Sequence, residues 1–223
     1  MKNVFLMAMF LMQVYLPSMA KSIFRDVHFS KKNGNFSLSD SLVLSNPYFM
    51  VSHNAAVCTA SHTAGIGSRV IVALNKVRIK SSRGGIRLHR GEIAVFKESE
   101  SYELPRGQFF EVSFKKNHPA LAKPEQWVEP LKNTTVYEDS VFRVFEERLA
   151  PGDERQLHSH AQRLVVRLNE VQLTDPRFFP NGKAGEGIQV ANTVKFAEPM
   201  VHVVRNLGKI PLFNIVIEFK LPK

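Results

Sequence analysis

The chain has 223 residues, a formal net charge of +10 at pH 7 and a single cysteine, Cys58. One cysteine cannot form an intrachain disulfide, so apolar burial or a bound metal must stabilise the fold. The basic residues are scattered, with no run of five and no alternation with aromatic residues, and this argues against a nucleic-acid-binding protein. The length is compatible with two small domains or with one all-β unit.

The first twenty residues have the pattern of an export signal. Lys2 supplies a positive start, Val4 to Leu16 form an apolar run, and Ser18-Met19-Ala20 offer small residues for cleavage. The run is shorter than the roughly 20 residues that a stable membrane span needs. We expect a periplasmic or secreted protein that begins near Lys21, with 29 basic and 20 acidic residues and a net charge of +9. An uncleaved anchor or a buried first helix is the alternative.

An internal repeat divides the rest of the chain. Residues 69–79, RVIVALNKVRI, match residues 163–173, RLVVRLNEVQL, at a constant offset of 94. The match continues on both sides with small gaps, which predicts two homologous halves at 41–117 and 139–223. Residues 118–138 are then the connection between the halves, and residues 21–40 form an N-terminal arm.

The local pattern within each half predicts an all-β fold. Short segments rich in Val, Ile and Phe alternate with turn sequences such as Ser82-Arg83-Gly84-Gly85, and few windows have the periodicity of an amphipathic helix. Repeated short strands in units of this size are typical of β-barrels and jelly rolls. The sequence therefore predicts two jelly-roll barrels in tandem.

Two histidines in the second half follow a Pro151-Gly152 turn, at positions 158 and 160. Side chains two apart on a strand point to the same face, so His158 and His160 can bind one ion. The same alternation predicts an inward-facing set, namely Gln162, Leu164, Val166 and Leu168. The opposite set is predicted to face solvent and consists of Arg163, Val165, Arg167 and Asn169.

These residues resemble the first motif of the cupin superfamily, a glycine followed by His-x-His, with Gly152, His158 and His160 in the matching places. The second cupin motif, Pro and Gly before His-x-x-x-Asn, is matched in part by a shifted proline, His202 and Asn206. The resemblance implies a double cupin barrel whose second half holds a metal ion on His158, His160 and His202. Asn206 is expected to end a strand and to support the ligands.

The second half departs from the family motif at one ligand. Leu164 and Val165 stand where the family has a glutamate, so the resemblance implies three imidazole ligands, which suit Fe(II), Zn or Ni. Gln162 is in phase to act as a weak fourth ligand or to bond a metal-bound water. Three protein ligands with open positions favour a catalytic site over a closed structural one.

The first half lacks this chemistry. The positions 94 residues before the paired histidines are Ala64 and Ile66, and the counterpart of His202 is near Ser99. The first barrel is therefore predicted to be a structural or docking module. Its remaining histidines are interpreted as surface or turn residues, namely His53, His62 and His89.

Two classes of function remain open from the sequence. One is a metal-dependent oxygenase or isomerase acting on a small organic molecule, by analogy with cupin enzymes, with Glu198 as a weak candidate for a general base. The other is a non-catalytic protein of the bacterial envelope that binds or senses a metal or small ligand, and a purely structural module is a third reading. The positive charge favours an anionic ligand, and the resemblance implies a homodimer formed through edge strands.

Overall fold

A computed structural model describes residues 42–54, 66–129, 133–177 and 187–221, and within these ranges it contains β-strands and no helix. The all-β prediction is confirmed. The predicted signal, the N-terminal arm, Cys58 and His62 lie outside the described residues.

The first half contains one five-stranded antiparallel sheet, sheet 1, in the order β1-β2-β7-β3-β6, and a separate hairpin of β4 and β5. The strands are short and dominated by Val, Ile and Phe, which fit a pleated surface with one buried face. Their bounds are β1 Leu42–Ser45, β2 Phe49–His53, β3 Ile66–Ala73, β4 Val77–Ser81, β5 Gly84–Leu88, β6 Ile93–Phe96 and β7 Phe109–Lys115.

The second half contains two antiparallel sheets. Sheet 2 has the order β14-β11-β16-β9-β8, and sheet 3 has the order β10-β15-β12-β13. The bounds are β8 Thr134–Glu138, β9 Phe142–Leu149, β10 Glu154–His160, β11 Arg163–Arg167, β12 Val171–Thr174, β13 Gly187–Gln189, β14 Thr193–Ala197, β15 Met200–Asn206 and β16 Leu212–Phe219. Strand β8 lies inside the interval predicted as a connection and pairs with β9.

The two halves have the same sheet topology. Read from β1, sheet 1 runs β1-β2-β7-β3-β6, and read from β8, sheet 2 runs β8-β9-β16-β11-β14. Strands β3 and β11 carry the sequence repeat, and each pairs with the last strand of its half: β3 lies between β7 and β6, and β11 lies between β16 and β14. This equivalence of position agrees with the tandem arrangement that the repeat predicts.

Sheets 1 and 2 pack against each other through one shared apolar core. The packing includes aromatic contacts between the halves, such as Phe49 with Phe219 at 5.0 Å and Phe114 with Phe142 at 4.2 Å between ring centroids. Arg90 of the first half also donates to the Leu168 carbonyl of the second. The burial of apolar side chains in this core is the main contribution that stabilises such a fold. The buried members are Tyr48, Phe49, Val51, Val70, Val72, Leu74, Phe110, Val112, Phe114, Phe142, Val144, Leu164, Val166, Leu168, Ile215, Ile217 and Phe219.

The prediction for the two faces of β11 is wrong. Leu164, Val166 and Leu168 pack in the core shared with the first half and do not line the interior of the second barrel. Arg163, predicted to face solvent, is only 4% exposed. The alternation does not continue from β10 because the chain passes from sheet 3 to sheet 2 between His160 and Arg163.

The two barrels are filled differently. The first barrel has an apolar cluster of its own, built from Ile71, Ala73, Val77, Ile79, Leu88, Ala94, Phe96 and Phe109. On the equivalent face of sheet 2 the strands carry buried polar side chains, including Glu147, Asn214 and Glu218. The first barrel also buries Arg69, Glu111 and Ser113 on this face. Buried charges are costly unless they are paired or bind an ion. Among the described residues, the cluster of three histidines is found only in the second barrel.

Candidate metal centre

Strands β10 and β15 bring the three histidines together. In their antiparallel register His158 lies directly opposite His202, and His160 lies opposite Met200. A register shift between Arg155 and His158 separates this pairing from the outer part of the strand. Because His158 and His160 are two apart on β10, both share the face of sheet 3 on which His202 stands.

The three imidazoles form a compact cluster. The ring centroids of His158 and His202 are 4.5 Å apart, those of His158 and His160 are 4.8 Å apart, and those of His160 and His202 are 5.3 Å apart. One ring nitrogen of each lies within 4.8 Å of the others, so the three could hold one metal ion. Among the described residues no second group of this kind is found.

Hydrogen bonds fix which nitrogen of two rings faces the centre of the cluster. Nδ1 of His158 lies 2.7 Å from the Gln156 carbonyl oxygen, and Nδ1 of His160 lies 2.7 Å from a carboxylate oxygen of Glu218. Because both partners accept, each Nδ1 carries the hydrogen and each Nε2 keeps its lone pair. Outer hydrogen bonds of this kind orient metal-binding histidines and raise their basicity.

Two buried ring nitrogens of the cluster lack a partner in the part of the chain that the structure describes. Nε2 of His158 and Nε2 of His202 are buried and accept or donate no hydrogen bond there. Nearly all buried polar atoms in proteins are satisfied, and exceptions point to a site for an ion or a water. The donor set, three nitrogens in one buried cluster, therefore fits a divalent transition metal.

The rings are held in the neutral form that binds metals. Burial, together with the neighbouring His160 and His158, lowers the pKa of His202 to about 2. Burial and then the charge of Arg163 hold the pKa of His160 well below its ordinary value. Burial also lowers the pKa of His158. Neutral imidazole is the metal-binding state, so protons do not compete for this cluster near pH 7.

A hydrogen-bonded network of buried charges flanks the cluster on one side. Arg155 lies 3.3 Å from Glu147, whose other oxygen accepts from Asn214 at 2.8 Å, and Asn214 in turn accepts from Gln189 at 2.7 Å. Burial by itself would raise the pKa of Glu147, but Arg155 and the other nearby cations lower it. Glu147 is therefore a charged carboxylate inside the barrel.

A row of alternating charges crosses sheet 2 on the other side. Direct register partners follow one another from Arg163 to Glu218, from Glu218 to Arg143 and from Arg143 to Glu138. The Glu218 carboxylate accepts from Arg143 at 2.9 Å and from His160 at 2.7 Å. Arg163 bonds neutral acceptors instead, the carbonyls of Ala161 and Glu198 and the Met200 sulfur. Through Glu218, which contacts His160, the row connects the histidine cluster to Glu138 on the edge strand β8.

Gln162, the predicted fourth ligand, forms hydrogen bonds with other residues of the protein. Gln162 is buried, its side-chain oxygen accepts from the Ala122 amide at 3.1 Å, and its side-chain nitrogen donates to Glu198 at 3.2 Å. A ligand role for Gln162 stays a prediction. Glu198 itself is exposed, and its one described side-chain bond is to Gln162.

Asn206 is the end residue of β15, as predicted. It is fully buried, and its amide nitrogen donates to the carbonyls of Leu149 at 3.0 Å and Ile210 at 2.9 Å. It closes the end of the barrel and does not contact the histidines by any described bond. In the first half His89 is exposed, and His53 is half-buried beside Phe110.

The sequence interpretation missed four charged residues around the cluster, namely Glu147, Arg155, Arg163 and Glu218. One signal was present: Glu218 interrupts the apolar run Ile215-Val-Ile-Glu-Phe219 on a central strand. A lone acid in such a run is almost never left unpaired in a folded protein. Its partner could not be read from the sequence because His160 lies 58 residues away on another sheet.

Comparison with solved structures finds proteins that have a similar fold. A cupin 2 conserved barrel domain protein from Leptotrichia buccalis is similar with a TM-score of 0.51 at 12% identity, over 80% of this chain and 87% of that chain. The chain has a cupin fold. AerE from Microcystis aeruginosa is similar to this chain with a TM-score of 0.53 at 13% identity, over 81% of this chain and 91% of that chain. No protein-family model and no curated protein matches the sequence.

A separate finding concerns membranes. Across the part of the chain that the structure describes, no helix is long and apolar enough to cross a bilayer.

Proposed function

We propose that this protein is an exported metal-dependent enzyme that acts on a small anionic organic molecule. Its second barrel would hold one Fe(II), Zn or Ni ion on His158, His160 and His202. The observation that carries the proposal is the pair of buried Nε2 atoms without partners, in a cluster whose ligand nitrogens lie within 4.8 Å of one another. Export is supported by the pattern of the first twenty residues.

The chain's own residues prepare the site for a metal. Glu218 holds the His160 ring by its Nδ1, and the Gln156 carbonyl holds His158 in the same way. The burial of both rings excludes water from the ligands and keeps them neutral. A bound ion would supply Lewis acidity or, as Fe(II), a centre for oxygen chemistry.

The charge distribution favours an anion as the substrate. Arg163 is buried in the same barrel and has no carboxylate within ion-pair distance among the described residues. Its charge lowers the pKa of all three histidines, so its field reaches the cluster. A buried arginine that forms no described ion pair would, beside a cationic metal, attract a negatively charged group.

One observation favours a second candidate function, a metal- or ligand-binding protein without turnover. The buried carboxylates near the cluster are already engaged, Glu147 by Arg155 and Glu218 by Arg143 and His160. Neither is free to accept a proton from a substrate, and Glu198 is exposed. General base catalysis needs a group within hydrogen-bond reach of the proton that moves.

Turnover distinguishes the two candidates. The protein would be loaded separately with Fe(II), Zn and Ni and incubated with a panel of small carboxylates that includes thiol acids, keto acids and hydroxy acids. Oxygen uptake by the Fe(II) form, or product formation by the Zn or Ni form, supports the enzyme. Stoichiometric binding of a metal without turnover on any compound supports the binding protein. The His158→Ala/His160→Ala variant is the control in every assay.

A further inference from the structure

A surface cleft shares Glu218 with the surroundings of the histidine cluster, and its opening plays no part in the function proposed above. It has a volume of about 480 Å³, in the size range of small-molecule sites. It opens where the connection between the halves passes the ends of β9 and β16. Its lining consists of Lys123, Pro124, Trp127, Glu138, Arg143, Glu218, Phe219, Lys220 and Leu221.

The lining has the chemistry to recognise a flat anion. Trp127 is 45% exposed although it is a large aromatic side chain, and the Arg143 guanidinium lies 6.0 Å from the centre of its ring. Lys123 adds a further cation, whereas Lys220 is paired with Glu138 of the same lining at 2.6 Å. An aromatic ring could stack on Trp127 while its carboxylate pairs with Arg143 in a bidentate manner.

The floor of the cleft connects directly to a proposed metal ligand. One oxygen of Glu218 accepts from Arg143 at 2.9 Å, and the other accepts from Nδ1 of His160 at 2.7 Å. The cleft is therefore on the Nδ1 side of the His160 ring, whereas the metal would lie on the Nε2 side. The two sites are separate, with Glu218 and the imidazole between them.

The first barrel shows that this connection is not required by the fold. In sheet 1 the register partner of Arg69 is Ser113, and the partner of Ser113 is Met50. These two residues occupy the places that Glu218 and Arg143 take in sheet 2. The arginine is thus repeated in both barrels, while the acid and the second arginine occur only where the histidines do.

We infer that the cleft is a second ligand site, for small aromatic carboxylates, and that it is coupled to the metal site through Arg143, Glu218 and His160. A carboxylate that bonds Arg143 competes with Glu218 for that guanidinium and so alters how firmly Glu218 holds the His160 ring through its Nδ1. The coupling rests on the proposed metal site, but the binding does not. By linkage, ligand and metal must change each other's affinity by the same factor.

The protein contains its own reporter for this site, because Trp127 is the only tryptophan of the chain. Metal-free protein would be titrated with benzoate and, as the neutral isostere, with benzamide, while tryptophan emission is recorded. Benzoate is expected to change the emission saturably, and benzamide is expected to bind about tenfold more weakly. The same loss is expected for Arg143→Gln and, in the exposed connection, for Lys123→Gln. Arg87→Gln removes an exposed charge from the first half and is expected to bind benzoate like the unmodified protein.

The outcomes separate the cleft from the metal site. Absence of saturable benzoate binding, or equal binding by the Arg143, Lys123 and Arg87 variants, overturns the ligand site. If benzoate binds but zinc does not, the cleft stands and the proposed function fails. If both bind, the zinc affinity measured with and without saturating benzoate tests the coupling. A change of severalfold that disappears in Glu218→Gln supports it, and an unchanged zinc affinity contradicts it.

Discussion

Nδ1 of His160 lies 2.7 Å from the carboxylate of Glu218, and both side chains are almost completely buried. Burial raises the pKa of Glu218, while Arg143 opposes that rise and stabilises the charged form. The cupin motif has a glutamate after His160 that this chain lacks, and here an acid from the last strand, Glu218, lies beside His160 instead. Its role differs, because Glu218 accepts a hydrogen bond from Nδ1 of His160 and would not bind the metal itself.

The substitution Glu218→Gln tests this role. The amide keeps the shape of the side chain but weakens the hold on His160, so we expect zinc affinity to fall by about 10- to 100-fold. Competition with a chromophoric chelator measures the affinity, and circular dichroism checks the fold. Glu111→Gln, which changes a buried acid on β7 of the first barrel, should leave zinc affinity unchanged. Equal losses in the two variants would show that the effect is not specific to the histidine cluster.

A second prediction concerns the ion pair between the halves. Lys97 lies 2.6 Å from Asp139, whose other oxygen accepts from the amides of Val141 at 2.8 Å and Phe142 at 3.0 Å. Burial alone would raise the pKa of Asp139, but Lys97 and these amides lower it below its ordinary value. Asp139→Asn should reduce the free energy of unfolding at pH 7 by about 1–2 kcal/mol.

The pH dependence of this loss follows from the direction of the shift. A carboxyl whose pKa is lower in the folded state stabilises the protein above its unfolded pKa of about 4, and the contribution disappears as the pH falls through the folded value. The difference between the unmodified protein and Asp139→Asn should therefore shrink below about pH 4 in urea denaturation. Glu103→Gln breaks an exposed pair with Lys80, whose side chains are 69% and 74% exposed, and should have almost no effect at either pH. A pH-independent loss for Asp139→Asn would contradict the assignment.

A third prediction concerns a glycine at the contact between the halves. Gly91 has a φ of +84°, and a Cβ built on it would lie 2.5 Å from the ring of Phe213 in the second half. Gly84 has a φ of +106° but open space around it. Both substitutions to alanine carry backbone strain, and only Gly91→Ala adds a clash. Gly91→Ala should therefore lower the melting temperature clearly more than Gly84→Ala does. Similar decreases would mean that Phe213 can move away from the added methyl group at little cost.

A fourth prediction concerns the cooperativity of unfolding. Phe219 is 2% exposed and contacts the rings of Phe49, Phe114 and Tyr48 across the halves. Phe219→Ala should cost about 3–5 kcal/mol. Because the core is shared, calorimetry should show one transition moving to lower temperature. Two separate transitions, with only the later half destabilised, would show that the barrels unfold independently.

The sequence allowed the strands, the tandem repeat and the clustering of the histidines to be predicted, because each of these depends on short-range patterns. Spacing of two on a strand brought His158 and His160 to one face, and the offset of 94 related β3 to β11. Alternation alone, however, divides β11 into two sets without telling which set meets the other barrel. The position of Arg163 therefore had to come from the structure.

The charged surroundings of the site depend on pairing between distant strands. Glu218 contacts His160, and Glu147 pairs with Arg155, because distant strands become neighbours in the fold. Nothing local in the sequence fixes which strands become neighbours. The family resemblance supplied the histidines, and the absence of its glutamate gave no hint that another strand brings a carboxylate to His160.

Metal content is the most direct test of the central claim, that His158, His160 and His202 form one metal site. The purified protein, the His158→Ala/His160→Ala variant and the His89→Ala control, which removes an exposed histidine of the first half, would be analysed for bound elements. The same analysis would follow reconstitution with Fe(II), Zn and Ni. We predict about one metal per chain in the first and third proteins and none in the second. Metal-free protein in all three cases, even after reconstitution, would contradict the account and leave a cupin barrel without a metal site.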